Sequence, residues 1–330
     1  MQLAYGPSRG AAGGPPVTNS GAASAAPDHQ RPPLSPVPGF LTMRALTAAL
    51  LPGSFRMFLT DEIEVLNPHH PRGRFRSVLF DFDGTLSLIR EGWPQVMIPM
   101  MVDVLRETGT GESEGELTAA VEEFVMRLNG RQTIYQMIQL AEEVRKRGGA
   151  PLEPLAYKHR YHDLLMARIE GRLHALAAGT ASPEEWTVPG SHAFLEGLRR
   201  RGVTLYLASG TDLKYVRQEA ELLGLAPYFG RHIYGAVDDY KTFSKKMVIE
   251  RILTEHGLRG EELVGFGDGF VEIEEVKSVG GVAVAVASDE VTRRGVNAWK
   301  RDRLVRAGAD LVIPEYRHHE RLLCYLFGEA

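Results

Sequence analysis

Short apolar runs alternate with segments of helical periodicity through the second half of the chain, and this alternation restricts the fold more than any other feature. The predicted strands are 77–80, 203–208, 232–237, 263–266, 282–287 and 311–313. Helices are predicted between them at 213–223, 245–256 and 273–279. Because alternating strands and helices build a parallel sheet covered on both faces, the sequence predicts a doubly wound, Rossmann-like α/β core.

One long helical block interrupts this alternation after the first predicted strand. Apolar residues at helical spacing predict four helices, separated by Gly and Pro, at 94–106, 116–128, 133–147 and 154–176. We therefore predict a discontinuous core (75–86 and 189–330) with an inserted α-helical cap domain (87–188).

The beginning of the chain has a different composition. Gly, Pro, Ala and Ser make up more than half of the first 40 residues. Such a segment buries too little apolar surface to offset its chain entropy. We predict that residues 1–60 form a disordered tail.

Charge and cysteine content narrow the class of partner. The net charge is −4, so no basic excess indicates nucleic acid or an anionic membrane. No apolar run approaches the ~20 residues of a membrane helix, and the single cysteine, Cys324, excludes an intrachain disulfide. We expect a cytoplasmic monomer or homodimer that acts on a small molecule.

Two carboxylates follow the first predicted strand in the segment Asp81-Phe82-Asp83-Gly84-Thr85. Side chains at i and i+2 of an extended segment point the same way, and like charges so close need a cation or a shared proton. Oxygen ligands of this kind suit Mg²⁺. The alternative is a turn with solvated acids, since Asp-Gly is a common turn pair.

Polar residues also follow other predicted strands, where ligands of doubly wound sheets bind. Ser209-Gly210 offers a hydroxyl and backbone N–H groups to a phosphate, or simply caps a helix. Asp268 follows a later strand as a third candidate metal acid. Lys245 opens a helix and either neutralises a phosphate or is solvated.

In this order, the four pieces resemble the motifs of the haloacid dehalogenase-like superfamily of phosphohydrolases. Asp81, Asp83 and Thr85 match its D-x-D-x-T motif, and Ser209 matches its second. The third motif is a lysine, best placed at Lys245, and the fourth, G-D-x-x-x-[DE], is matched by Gly267-Asp268 and Glu272. The resemblance covers roughly residues 75–315. The inserted block is similar to the helical cap of the phosphoglycolate phosphatase-like branch.

The resemblance implies a Mg²⁺-dependent phosphatase acting on a small phosphorylated metabolite, of the phosphoglycolate or sugar phosphate type, through an aspartyl-phosphate. Asp81 is implied as the nucleophile and Asp83 as the acid and base. The phosphate-binding residues implied are Thr85, Ser209, Gly210 and Lys245. The metal-binding residues implied are Asp81, Asp83, Asp268 and Glu272.

Some assignments remain open at this level. Glu272 stands where Asp is commoner, and it binds the metal directly, binds it through water, or orients Lys245. Lys241 and Lys246 compete with Lys245, and Thr211 competes with Ser209.

Further candidates concern contact with the rest of the substrate. In the predicted cap, Arg90, Trp93 and Arg131 are candidates for substrate specificity. A basic stretch spanning 293–306 either helps to hold an anion or forms a solvated helix face, and we expect the latter.

Three other functions fit parts of the pattern. A metal-independent haloacid dehalogenase would lack the second acid of the first motif, whereas Asp83 is present. A phosphomutase would transfer the phosphoryl group to a sugar hydroxyl, and a non-catalytic binding protein would usually have lost acids that this chain keeps.

Overall fold

The computed structural model describes residues 57–237 and 239–329, which form an eight-stranded sheet with helices on both faces. The strands are β1 (Met57–Phe58), β2 (Glu64–Val65), β3 (Ser77–Phe80), β4 (Thr204–Asp212), β5 (Ile233–Ala236), β6 (Leu263–Gly267), β7 (Val282–Val286) and β8 (Leu311–Ile313). Their order is β1-β2-β8-β7-β6-β3-β4-β5. β3 to β8 pair in parallel, whereas β1 and β2 add an antiparallel edge. The predicted doubly wound α/β class is therefore confirmed.

Four helices lie between β3 and β4 and form the segment that we call the helical insert (87–188). They are α1 (Pro94–Arg106), α2 (Glu114–Leu128), α3 (Thr133–Lys146) and α4 (Pro154–Ala177). α2 begins with a capping box, in which Ser113 and Glu116 each accept a hydrogen bond from the other's backbone N–H. The bounds of all four helices lie within two residues of the predicted ones. The proposal that the insert is a separate domain stays a prediction.

Seven further α-helices follow the insert within the described residues. They are α5 (Ser191–Arg200), α6 (Leu213–Leu222), α7 (Ala226–Phe229), α8 (Lys245–His256), α9 (Phe270–Ser278), α10 (Ala298–Arg306) and α11 (His319–Phe327). Each α-helix of the described residues is too short or too polar to cross a bilayer.

Strand alternation divides the buried side chains between the two faces of the sheet. Val78 and Phe80 of β3 pack on the face that carries α5, α6 and α11. Leu79 packs on the opposite face, which carries α8, α9 and α10. β3, β6 and β7 are buried along their whole length, as expected for central strands covered on both faces.

The predicted tail needs a correction at its end. Met57–Phe58 pairs with Glu64–Val65 as the outermost strand, so residues 57 and 58 are not disordered. Two-residue strands are too short to show a period of two in the sequence. Residues 59 and 60 of the predicted tail are also described, whereas 1–56 lie outside the described residues.

Candidate active site

Three neighbouring strands bring the predicted acidic and hydroxyl residues to one edge of the sheet. β3 lies between β6 and β4, and Asp81 directly follows β3. Asp268 directly follows β6, whereas Ser209 lies within β4, which runs on to Asp212. These side chains line one cavity of about 100 Å³. β4 and β5 lie on one side of β3, whereas β6, β7 and β8 lie on the other. Doubly wound sheets bind ligands at such a switch in strand order.

The position of Asp81 is fixed by backbone and ring contacts with β6. Its N–H donates to the carbonyl oxygen of Phe266 at 2.9 Å. The rings of Phe80 and Phe266 stack with centroids 4.9 Å apart. Such a pair contributes about 0.5–1.5 kcal/mol beyond its buried area. The two strands that carry Asp81 and Asp268 are thus held together directly beneath the cavity.

Gly84 allows the turn after Asp83 to approach Asp268 closely. Its φ is +74°, and a Cβ at this position would lie 2.2 Å from Asp268 Oδ2. The hydroxyl of the fully buried Thr85 accepts a hydrogen bond from the N–H of Asp268 at 3.0 Å. Thr85 therefore positions Asp268, and its predicted phosphate contact stays a prediction.

Lys245 is the lysine that enters the cavity, whereas Lys241 and Lys246 are exposed. Its Nζ lies 2.9 Å from Asp81 Oδ1 and also contacts the carboxylate of Glu272. Burial raises the pKa of Asp81 to about 6, although Lys245 opposes that rise. Of the three roles considered for Glu272, the structure shows the contact that orients Lys245.

Asp83 faces two hydroxyl groups of β4. Thr211 Oγ1 donates to its Oδ2 at 2.8 Å, and Ser209 Oγ lies 3.3 Å from the same oxygen. Ser209 Oγ also accepts from the N–H of Thr211 at 3.0 Å. The other oxygen, Oδ1, is buried without a hydrogen-bond partner among the described residues. Asp83 thus has one carboxylate oxygen that no group of the described residues hydrogen-bonds.

Arg90 does not offer a free cation to the cavity. Its guanidinium forms a forked pair with the buried carboxylate of Glu219, with Nη2 2.6 Å from Oε1 and Nε 3.1 Å from both oxygens. Its Nε also lies 3.7 Å from Asp83 Oδ1. The charge of Arg90 is therefore largely balanced within the protein.

The donor atoms at this edge suit a hard divalent cation. Asp81, Asp83 and Asp268 line the cavity. Because Gly84 has no side chain, Asp268 can lie beside the turn that carries Asp81 and Asp83. Oxygen donors of this type are what Mg²⁺ prefers. Within the described residues, no three His, Cys, Asp or Glu side chains are grouped so that they alone could hold a metal ion. The predicted metal set stays a prediction: Asp81, Asp83 and Asp268 line the cavity, whereas Glu272 contacts Lys245.

Sequence reasoning missed a second buried ammonium beside Asp268. Lys300 Nζ lies 2.8 Å from Asp268 Oδ2 and 2.5 Å from Oε1 of Glu290, another cavity residue. Lys300 belongs to the basic stretch for which a solvated face was expected, and it is only 9% exposed. That expectation is wrong for Lys300. No local signal marked this burial, because it depends on carboxylates that lie elsewhere in the chain.

The helical insert supplies the other wall of the cavity. The lining residues from this segment are Arg90, Trp93, Met97, Asn129, Gly130, Arg131, Thr133, Gln136 and Tyr161. All three predicted specificity candidates are among them, and their role stays a prediction. Arg131 is exposed and has no carboxylate partner among the described residues.

A few polar contacts hold the insert against the sheet. Arg303 of α10 donates to the carbonyl oxygens of Met126, Arg127 and Asn129 at the end of α2, and its guanidinium lies 4.7 Å from the ring centroid of Phe270. Cationic donors are favourable at a helix C-terminus, where carbonyl groups lack partners.

Two further contacts seat the loop between α2 and α3. Gln132 donates to the carbonyl oxygens of Tyr240 and Phe243, at 3.2 and 2.7 Å, just before α8. A Cβ at Gly130 would lie 3.2 Å from the Cα of Gly269. This loop therefore rests directly on the segments that carry Lys245 and Asp268.

Solved structures share this architecture. The chain is similar to a predicted phosphoglycolate phosphatase from Haemophilus somnus 129PT, with 15% identity and a TM-score of 0.51 over 76% of this chain and 98% of that one. It is also similar to a β-phosphoglucomutase from Clostridium difficile, with 12% identity and a TM-score of 0.50 over 77% and 98% of the two chains. At these identities the likeness shows the fold alone.

Comparison with curated proteins gives no match. A family model described as haloacid dehalogenase-like hydrolase matches residues 75–280, which is more than half of the chain and includes every acidic residue of the cavity except Glu290. Since the match spans β3 to α9 with the insert, the chain belongs to the haloacid dehalogenase-like hydrolases.

Proposed function

We propose that this hydrolase is a Mg²⁺-dependent phosphatase that acts on a small phosphorylated metabolite through an aspartyl-phosphate. One observation supports this most: Asp81, Asp83, Lys245 and Asp268 come from distant parts of the chain and line the same small cavity. Phosphoryl transfer requires mainly positioning and charge stabilisation, which such a set provides.

Asp81 is the nucleophile in this proposal. A carboxylate oxygen of Asp81 forms a bond to phosphorus while the bond from phosphorus to the leaving oxygen breaks. Lys245 Nζ, 2.9 Å from Asp81, lies where it can contact the phosphoryl oxygens and favour the ionised carboxylate. Ser209 and the backbone of Gly210 provide further hydrogen-bond donors from within β4.

Asp83 moves the proton in both steps. Protonated Asp83 gives its proton to the leaving oxygen, which departs as an alcohol. The carboxylate then takes a proton from water, whose oxygen bonds to phosphorus as the bond to Asp81 breaks and inorganic phosphate is released. The hydrogen bond from Thr211 to Oδ2 fixes the orientation of the Asp83 carboxylate for these transfers.

Asp81, Asp268 and the backbone carbonyl of Asp83 would hold the cation. When bound, Mg²⁺ would supply positive charge that stabilises the transferring phosphoryl group. Asp81 and Asp268 each pair with an ammonium group, and this preference for positive charge supports a cation site at this edge.

Phosphate release from a panel of phosphometabolites tests the proposal. We expect release with Mg²⁺, none with EDTA, and recovery when excess Mg²⁺ is restored. The panel includes phosphoglycolate and sugar phosphates, because the two similar structures are described as a predicted phosphoglycolate phosphatase and a β-phosphoglucomutase. Transfer of phosphate to a sugar without release would instead indicate a mutase, and activity on haloacids in EDTA a dehalogenase.

The Asp81→Asn variant tests the nucleophile. Loss of a nucleophile removes the covalent route, and we expect a fall in rate on the order of 10⁴ or more. Asp163→Asn is the matched control, because Asp163 is exposed on α4 and should leave the rate unchanged. A rate for Asp81→Asn near that of the control would refute the assigned role.

A further inference from the structure

The buried cluster of Lys300, Glu290 and Ser288 has no part in the proposed chemistry, yet it touches one of its acids. Lys300 Nζ contacts Asp268 Oδ2 at 2.8 Å, Glu290 Oε1 at 2.5 Å and Ser288 Oγ at 3.5 Å. Burial lowers the pKa of Lys300, but the two carboxylates outweigh burial and keep the ammonium charged.

The first turn of α10 aims this ammonium at Asp268. The side chain of Asn297 accepts from the N–H of Lys300 at 3.0 Å, and its own N–H donates to the carbonyl oxygen of Ala287 at 2.8 Å. The start of α10 is thereby tied to the end of β7. The backbone of Lys300 is therefore fixed, and its long side chain is held by the carboxylates of Asp268 and Glu290.

Only one oxygen of Asp268 is used by this cluster. Asp268 Oδ2 accepts from Lys300 Nζ and lies close to the Cα of Gly84. A Cβ on residue 84 would clash with this oxygen. Among residues 57–237 and 239–329, no group donates a hydrogen bond to Oδ1, although Asp268 lines the cavity. The carboxylate is therefore anchored by one oxygen and offers the other.

Ser288 links the same cluster to the acidic turn. Its hydroxyl donates to the carbonyl oxygen of Gly84 at 2.9 Å and is buried with Lys300. The segments after β3, β6 and β7 thus meet at one ammonium.

We propose that Lys300, held by Glu290, is a positioning residue that orients Asp268 so that its second oxygen faces the cation. This inference rests on the proposed Mg²⁺-dependent function. Hydrogen-bonded partners of metal-binding side chains typically change metal affinity 10–100-fold when they are removed. Glu290 balances the charge of Lys300, so the pair orients Asp268 without adding net charge beside the cation.

The test is cation affinity measured by calorimetry with Mg²⁺ or Mn²⁺ alone, without substrate. The double variant Glu290→Met/Lys300→Met removes one negative and one positive charge, so the local net charge is kept while the anchor is lost. We expect the dissociation constant to rise roughly 10–100-fold relative to the wild type. An unchanged constant would refute the positioning role, and tighter binding would show that the ammonium merely occupies the place of the cation.

Two further measurements keep the outcome decisive. Glu290→Gln preserves side-chain volume and Lys300, and we expect a smaller but measurable loss of affinity even if the double variant fails to fold. Lys277→Met removes another ammonium, whose Nζ lies 2.8 Å from Asp310 Oδ2. Neither residue lines the cavity, so this variant should leave cation affinity unchanged. If the wild type itself binds no cation, the proposed function fails; if the wild type binds but both Glu290 variants match it, only the positioning inference fails.

Discussion

The two walls of the cavity are built in different ways. The sheet wall carries Asp81, Ser209 and Asp268 at or near the ends of adjacent strands, so ladder hydrogen bonds fix its backbone. The insert wall gathers side chains from α1, α3, α4 and the α2–α3 loop, and a few polar contacts hold it to the sheet. The proposed function assigns the chemistry to the sheet wall, and we predict that the insert wall selects the substrate.

Asp83→Asn tests the chemical wall most strongly. Loss of an acid and base should lower the steady-state rate by on the order of 10²–10⁴. With p-nitrophenyl phosphate, whose leaving group needs no proton, the first turnover should stay fast, so a burst of nitrophenolate should precede slow turnover. Stopped-flow absorbance measures both phases. A burst lost as completely as the steady-state rate would contradict the assigned proton transfer.

Glu219→Gln tests how the walls are joined. The change leaves the buried guanidinium of Arg90 without its carboxylate partner, and breaking a buried pair costs about 3–5 kcal/mol. Chemical denaturation of the full chain measures this loss. Glu221→Gln lies on the same helix, is exposed and should change the free energy of unfolding little. Equal stability of the two variants would show that the Arg90 pair does not brace the insert.

Arg131→Ala tests the selecting wall and carries the smallest expected effect. Arg131 is the exposed cation of this wall without a carboxylate partner among the described residues. If it binds the part of the substrate remote from phosphorus, its loss should raise KM by up to about tenfold with kcat kept, since uniform binding is lost. Arg145→Ala, exposed on α3, is the control. A lower kcat at unchanged KM would place Arg131 in the chemical step instead.

The same contrast explains how far the sequence could predict the structure. Apolar runs ending in Asp81, Ser209 and Asp268 marked both the strands and the residues at their ends, because strand and polar turn are local signals. β4 was predicted to end at Ala208 but continues to Asp212, since pairing with β5 beyond a register shift is a tertiary effect.

Residues brought together by packing left no such local signal. Glu219 and Arg90 meet only because α6 packs beside the start of the insert, and Tyr161 reaches the cavity from the middle of a long helix. A helix face was expected over 293–306, but the burial of Lys300 on α10 was missed because its carboxylate partners lie elsewhere in the chain. Burial of a charged group depends on distant carboxylates that periodicity does not reveal.

Lys300 and Arg303 are three residues apart on α10, and therefore lie on one side of the same helical turn. Lys300 contacts Asp268, which directly follows β6, and Arg303 donates to the carbonyl groups at the end of α2. A tilt of α10 would change the contacts of Lys300 and Arg303 together. The position of the helical insert and the orientation of Asp268 therefore both depend on the position of this one helix.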